Sequence, residues 1–132
     1  MEQQVYFGNW SRLEDIVGDF EQLYTWNGVQ PVTEFMEKND TYKNMNVLFA
    51  CYTYEDYSGD ALVIFERNGQ LYEVHGGHCS CYGLEGQWDP EETTKEYLLG
   101  EIARMEADSN GYHYGKLWEY RDTIKSILEK LA

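Results

Sequence analysis

Chemistry-bearing side chains are densest in His75-Gly76-Gly77-His78-Cys79-Ser80-Cys81, where two histidines and two cysteines fall within seven residues. Imidazole nitrogen and thiolate sulfur are the ligands that a tetrahedral zinc ion takes, at about 2.0–2.3 Å. His75, His78, Cys79 and Cys81 therefore form a potential ligand set, with Cys51 on a neighbouring strand as a further member. The spacing departs from the usual pattern, in which two ligand pairs a dozen or more residues apart clasp the ion. His78 and Cys79 are adjacent, so facing one ion requires a tight turn, which Gly76-Gly77 permits. The competing reading makes Cys79 and Cys81 small buried residues and the histidines hydrogen-bonding groups at a strand end. A third chemistry, a cysteine nucleophile activated by histidine, needs an orienting group and an oxyanion hole, and neither is visible.

Carboxylates are the other abundant reactive type. Against 24 Asp and Glu stand 10 Lys and Arg, a formal net charge of −14. The excess is uneven: residues 1–66 hold 12 acids and 3 bases, residues 67–132 hold 12 and 7. Direct binding of DNA or RNA is excluded on this balance, because affinity for phosphates rests on Lys and Arg. Such a charge instead steers approach of positive surfaces. The contact residues expected for a basic partner protein are Glu14, Asp15, Asp19 and Glu21, together with Tyr54, Glu55, Asp56, Tyr57 and Asp60. Tyrosine supplies large contact area in such surfaces. Asp60 lacks the alternating acids of a calcium loop, and the glycine pairs lack the lysine of a phosphate loop.

These side chains need elements to hold them. Ser11-Arg12-Leu13-Glu14 has the form of a capping box, followed by Leu13, Ile16, Val17, Phe20, Leu23 and Tyr24 at helical spacing. A short second helix is expected over Thr33–Lys38, entered through Pro31. The period then changes to two. Residues 46–54 form a strand with Val47, Phe49, Cys51 and Thr53 on one face. Strands at 61–67 and 70–75 join at Asn68-Gly69, the pair a type I′ hairpin turn requires. That register sets Phe65 against Tyr72, Val63 against Val74 and Leu62 against His75. Asp89-Pro90-Glu91-Glu92 reads as a helix start, which would account for those acids as capping groups. Tyr97, Leu98, Ile102 and Met105 form its buried stripe. A last helix is expected over about 114–131. The fold class is thus α+β in one domain: a three-stranded antiparallel sheet (46–54, 61–67, 70–75) with an N-terminal helix and two C-terminal helices packed on one face.

The stretch from Leu71 to Thr93, with its core His78-Cys79-Ser80-Cys81-Tyr82-Gly83-Leu84-Glu85-Gly86-Gln87-Trp88, resembles small bacteriophage proteins, as does Tyr57-Ser58-Gly59-Asp60-Ala61. The resemblance spans about residues 47–93 and carries no catalytic residues with it. It implies a phage accessory protein, with acidic DNA mimics and inhibitors of host defence, including anti-CRISPR proteins, as its analogues in size and charge. The expectation is a binding protein and not an enzyme, acting on a basic host protein without a cofactor. Zinc is the one metal that the 75–81 segment would suit. Three cysteines cannot pair completely within one chain, and no apolar run approaches a membrane span. Both features fit a reducing cytoplasm, that of the infected host.

Overall fold

The computed structural model describes residues 5–8, 10–21, 23, 30–53, 58–79, 84, 87–107 and 120–131. Strand β3 (Ser58–Arg67) runs through the middle of the sheet. Its segment Ala61-Leu62-Val63-Ile64-Phe65 is buried at every position, so both faces of this strand lie under other elements. β3 pairs antiparallel with β4 (Gln70–Cys79) on one side and with β2 (Asn46–Tyr52) on the other. β1 (Tyr6–Gly8) adds in parallel outside β2, and β5 (Glu91–Thr93) adds antiparallel outside β4. The result is a five-stranded mixed sheet in the order β1-β2-β3-β4-β5.

The three-stranded antiparallel sheet expected from the sequence is therefore corrected. β1 and β5 have three residues each, too short for alternation to register as a period. Their pairing is supplied by β2 and β4, whose outer edges would otherwise leave N–H and C=O groups unpaired. Within the hairpin the expected register holds: Phe65 opposes Tyr72, Val63 opposes Val74 and Leu62 opposes His75. Asn68 and Gly69 have φ of 53° and 82°, the left-handed pair a type I′ turn demands. The face assignment in β2 needs one change. A bulge between Val47 and Phe49 moves Val47 to the face of Ala50 and Tyr52, away from Phe49 and Cys51.

Among the described residues four helices cover the sheet, where one N-terminal and two C-terminal helices were expected to pack on it: α1 (Leu13–Glu21), α2 (Gln30–Lys38), α3 (Lys95–Ala107) and α4 (Arg121–Glu129). They occupy both faces, where one face was expected. Leu98, Ile102, Ile124, Ile127 and Leu128 of α3 and α4 pack against Phe49, Cys51, Leu62 and Ile64. Ile16 and Phe20 of α1 pack with Trp10 and Leu84 against Ala50, Ala61, Val63, Phe65 and Val74. Val17 of α1 joins Val32 of α2 and Tyr42 in a smaller third cluster. Trp88 connects the last two, stacking on Phe65 at 5.8 Å between centroids and meeting Tyr42 at 4.7 Å.

Two helix starts also differ from expectation. In α1 it is Asp15, not Glu14, that reaches back, accepting from the Ser11 amide at 2.9 Å and the Ser11 hydroxyl at 3.0 Å. Asp89-Pro90-Glu91-Glu92 does not begin a helix, because Glu91–Thr93 is drawn onto the free edge of β4. The cap is Thr94, whose hydroxyl accepts from the Tyr97 amide at 3.0 Å. α3 then buries Leu98 and Ile102, while Tyr97 turns outward at 52% exposure. The last helix is described from Arg121; residues 114–119 lie outside the described residues.

Gly69 isolates the cost of the hairpin turn, since a Cβ there would meet nothing within 4 Å. Gly69→Ala should lower stability by about 1–2 kcal/mol from the left-handed backbone alone. Urea unfolding checks this as a shifted midpoint with an unchanged slope.

Candidate functional site

The histidine- and cysteine-containing segment lies largely within β4, and the described contacts give its glycines a structural duty. Gln87 uses its carboxamide as a one-residue strand: its Oε1 accepts from the Gly77 amide and its Nε2 donates to the Gly77 carbonyl, both at 2.8 Å. A Cβ on Gly76 would sit 3.0 Å from Leu84 Cδ2 and 3.3 Å from Gln87 Oε1. Glycine at 76 thus lets Leu84 reach the core, where it is fully buried. Much of the Gly-Gly and Leu84–Trp88 pattern is accounted for by closing the sheet edge and filling the core beside it.

The expected zinc ligands are distributed along this frame. Cys51 is wholly buried in β2 beneath α3 and α4. It opposes Leu62, which in turn opposes His75. Cys51 and His75 therefore stand two strand spacings apart on one face, roughly 10 Å, with Leu62 between them. The backbones of His78 and Cys79 pair with Gly59 and Ser58; their side chains, and all of Cys81, lie outside the described residues. Among the described residues no group of three or more His, Cys, Asp and Glu side chains is placed to hold a metal ion.

The acids expected to face a partner from α1 are mostly engaged within the fold. Asp15 holds Ser11 and lies 3.6 Å from Arg12. Asp19 accepts from the buried Trp10 indole at 2.5 Å. Glu21 accepts from the Tyr42 hydroxyl at 2.8 Å; burial first, then this carboxylate, pushes the Tyr42 phenol strongly upward. Glu14 is half-buried and, after burial, raises the Tyr6 phenol together with Asp15. Asp60 is half-buried, its backbone clamped to Thr53: the Asp60 carbonyl accepts from the Thr53 amide at 2.9 Å, and the Asp60 amide donates to the Thr53 hydroxyl at 3.0 Å. Tyr54, Glu55, Asp56 and Tyr57, which stand between β2 and β3 in the sequence, lie outside the described residues.

Carboxylates converge instead where β4, β5 and the first turns of α3 meet. A cavity of about 410 Å³ opens there, lined by Glu73, Glu91, Glu92, Thr93, Thr94 and Tyr97. Glu73 is the inner wall. It opposes Ile64 in the ladder, which commits it to the face that α3 and α4 cover, and its side chain is only 8% exposed. His75, two residues on along the same face, donates from Nε2 to Glu73 Oε1 at 2.6 Å. Burial alone would raise the Glu73 carboxyl, but hydrogen bonds from His75 and the Thr93 hydroxyl, and the His75 charge, carry it below its ordinary value. His75 is raised, first by that hydrogen bond, against burial, and further by the charges of Glu73, Glu91 and Glu101. The Tyr97 phenol is raised too, Glu101 being the largest cause, followed by burial and by Glu73. The carboxylates of Glu73 and Glu101 thus raise both His75 and Tyr97, while Glu73 itself is lowered by the groups that hydrogen-bond it. Sequence inspection missed Glu73, although period-two alternation in Leu71–His75 opposite Ile64 and Leu62 places an acid on a core-facing position.

Comparison with family models, curated proteins and solved structures yields no match, so the chemistry of this corner stands on the chain's own residues.

The ion pair has a defined pH window. Its His75 contribution is complete below the unfolded value near 6.5 and is lost as pH rises through the raised folded value. The Glu73 contribution is present above its unfolded value near 4.5 and is lost as pH falls through the lowered folded value. Wild-type stability relative to His75→Gln should therefore be greatest between about pH 4.5 and 6.5 and shrink towards both extremes. Thermal unfolding of both proteins from pH 4 to 9 checks it; a constant difference would remove the pair from the account.

Proposed function

We propose that this chain is a binding protein that engages a basic surface of a partner protein, as an accessory inhibitor of the phage type its sequence resembles. The observation that carries the reading is the acidic corner of β4, β5 and α3. Glu91, Glu92 and Glu96 are exposed there, and two nearby cations have contacts with other groups. Lys95 Nζ donates to the Leu131 carbonyl at 3.1 Å, and Arg104 Nη2 meets Glu101 Oε1 at 2.6 Å. The corner therefore keeps a net negative charge, its carboxylates outnumbering Lys95, Arg104 and His75, within a chain whose net charge is −14. A partner groove built to hold nucleic-acid phosphates offers the complementary lysines and arginines. An acidic surface occupying such a groove acts as a DNA mimic and blocks it, the role implied for inhibitors of host defence. Glu55, Asp56 and Tyr57 belong to the proposal as a second contact element, next in sequence to Thr53, which is hydrogen-bonded to Asp60.

Exposed charges are screened over about 8 Å at physiological ionic strength and about 3 Å at 1 M. Affinity for a captured basic partner should fall steeply between about 0.05 M and 0.5 M salt, and short duplex DNA should displace the chain from it. Binding measured by interferometry across that range checks both. Affinity unchanged by salt and by DNA would contradict the charge-mimic reading.

A further inference from the structure

We propose that Asn68-Gly69, the tip of the β3–β4 hairpin, is a modification site at which the chain deamidates spontaneously to aspartate and isoaspartate, loosening the hairpin. The nucleophile is the Gly69 amide nitrogen and the electrophile is Asn68 Cγ. Both residues are exposed. The ladder closes at Arg67 and Gln70, so the Gly69 N–H is not a rung of the sheet. Residue 69 carries no side chain to shield its nitrogen, and the space around it is open, since even a Cβ would meet nothing within 4 Å. The adjacent Arg67 guanidinium is committed elsewhere, donating to the Lys43 carbonyl at 3.1 Å and the Thr41 carbonyl at 2.7 Å.

Hydroxide removes the Gly69 amide proton, the nitrogen attacks Asn68 Cγ, and the Cγ–Nδ2 bond breaks with Nδ2 leaving as ammonia. Water then opens the resulting five-membered imide at either carbonyl. Opening at Cγ gives aspartate on an unchanged main chain; opening at the main-chain carbonyl gives isoaspartate, with one extra methylene in the main chain. The net change is carboxamide plus water to carboxylate plus ammonium, and nothing is oxidised or reduced. Asn68 stands at φ 53°, and ring closure needs rotation about its Cα–C bond out of the turn. That opening is local, because Glu66, Arg67 and Gln70 are only half-buried and the first fully buried residue inward is Phe65. An extra methylene is incompatible with a two-residue type I′ turn, on which the register of Phe65 with Tyr72 and Val63 with Val74 depends.

The test is incubation of the full chain in mildly alkaline buffer over several weeks, sampled by peptide-mapping mass spectrometry, which reads the replacement of NH2 by OH at each asparagine. Asn44 is the internal control: it is exposed and has φ 60°, but Met45 follows it. Asn68 should convert about tenfold faster than Asn44 or more, because glycine carries no side chain to obstruct the attack. The rate should stay flat with urea below the unfolding transition, as for an opening confined to the tip. Two variants keep a type I′ pair and should fold. Asn68→Gly should abolish conversion at this position, and Asn68→Asp adds the charge without lengthening the main chain. The separated isoaspartate form should therefore unfold at lower urea than Asn68→Asp. An intact Asn68, conversion no faster than at Asn44, a rate that climbs with the unfolded fraction, or an isoaspartate form as stable as Asn68→Asp would overturn the inference.

Discussion

Burial of β3 on both faces is the constraint from which the other features follow. Leu62 and Ile64 point to one core, and Ala61, Val63 and Phe65 to the other. A strand of this kind is stable only if each face is covered, so the chain must send helices to both sides. α1 and Trp10 close one side, and α3 with α4 close the other. The same ladder determines which β4 residues lie under α3. Glu73 and His75 follow Ile64 and Leu62 onto that face, and the carboxylate is held there by its histidine and by the Thr93 hydroxyl of β5.

Each edge of the sheet is finished by a different device. β1 adds a short parallel strand, with the Val5 carbonyl accepting from the Ala50 amide at 2.8 Å. Along β4 the closure is divided between β5, over Leu71–Glu73, and the Gln87 carboxamide at Gly77. The segment first read as a ligand cluster thus serves the edge in its described part. The division also creates the cavity, because β5 ends at Thr93 and the chain turns into α3 at Thr94, leaving the carboxylates of Glu73, Glu91 and Glu92 around one opening.

What was legible in the sequence was local. Asn68-Gly69 marked the hairpin and fixed its register, because a type I′ turn permits one pairing of the flanking residues. Apolar spacing marked the first helix and the last, expected over about 114–131 and described over Arg121–Glu129. The second, expected over Thr33–Lys38 through Pro31, begins earlier at Gln30. The missing parts depended on distant partners: β1 and β5 are strands only because β2 and β4 offer them edges, and the bulge at Val47–Phe49 reverses a face that alternation assigns otherwise. The candidate site failed to show for the same reason. Glu91 and Glu92 looked like capping acids, while Glu14, Asp15, Asp19 and Glu21 looked free to face a partner. Asp15, Asp19 and Glu21 proved to be bound to Ser11, Trp10 and Tyr42, contacts that three-dimensional packing creates.

The central claim is that the location of the charge, and not its total, gives this chain a binding site. Two triple variants carrying the same loss of charge separate the possibilities: Glu91→Gln/Glu92→Gln/Glu96→Gln at the corner, and Glu34→Gln/Glu37→Gln/Asp40→Asn around α2, whose side chains are also exposed. Affinity for the captured basic partner should fall about tenfold or more for the corner variant and by no more than about twofold for the other. Equal losses from both would contradict the account and leave net charge as the whole explanation.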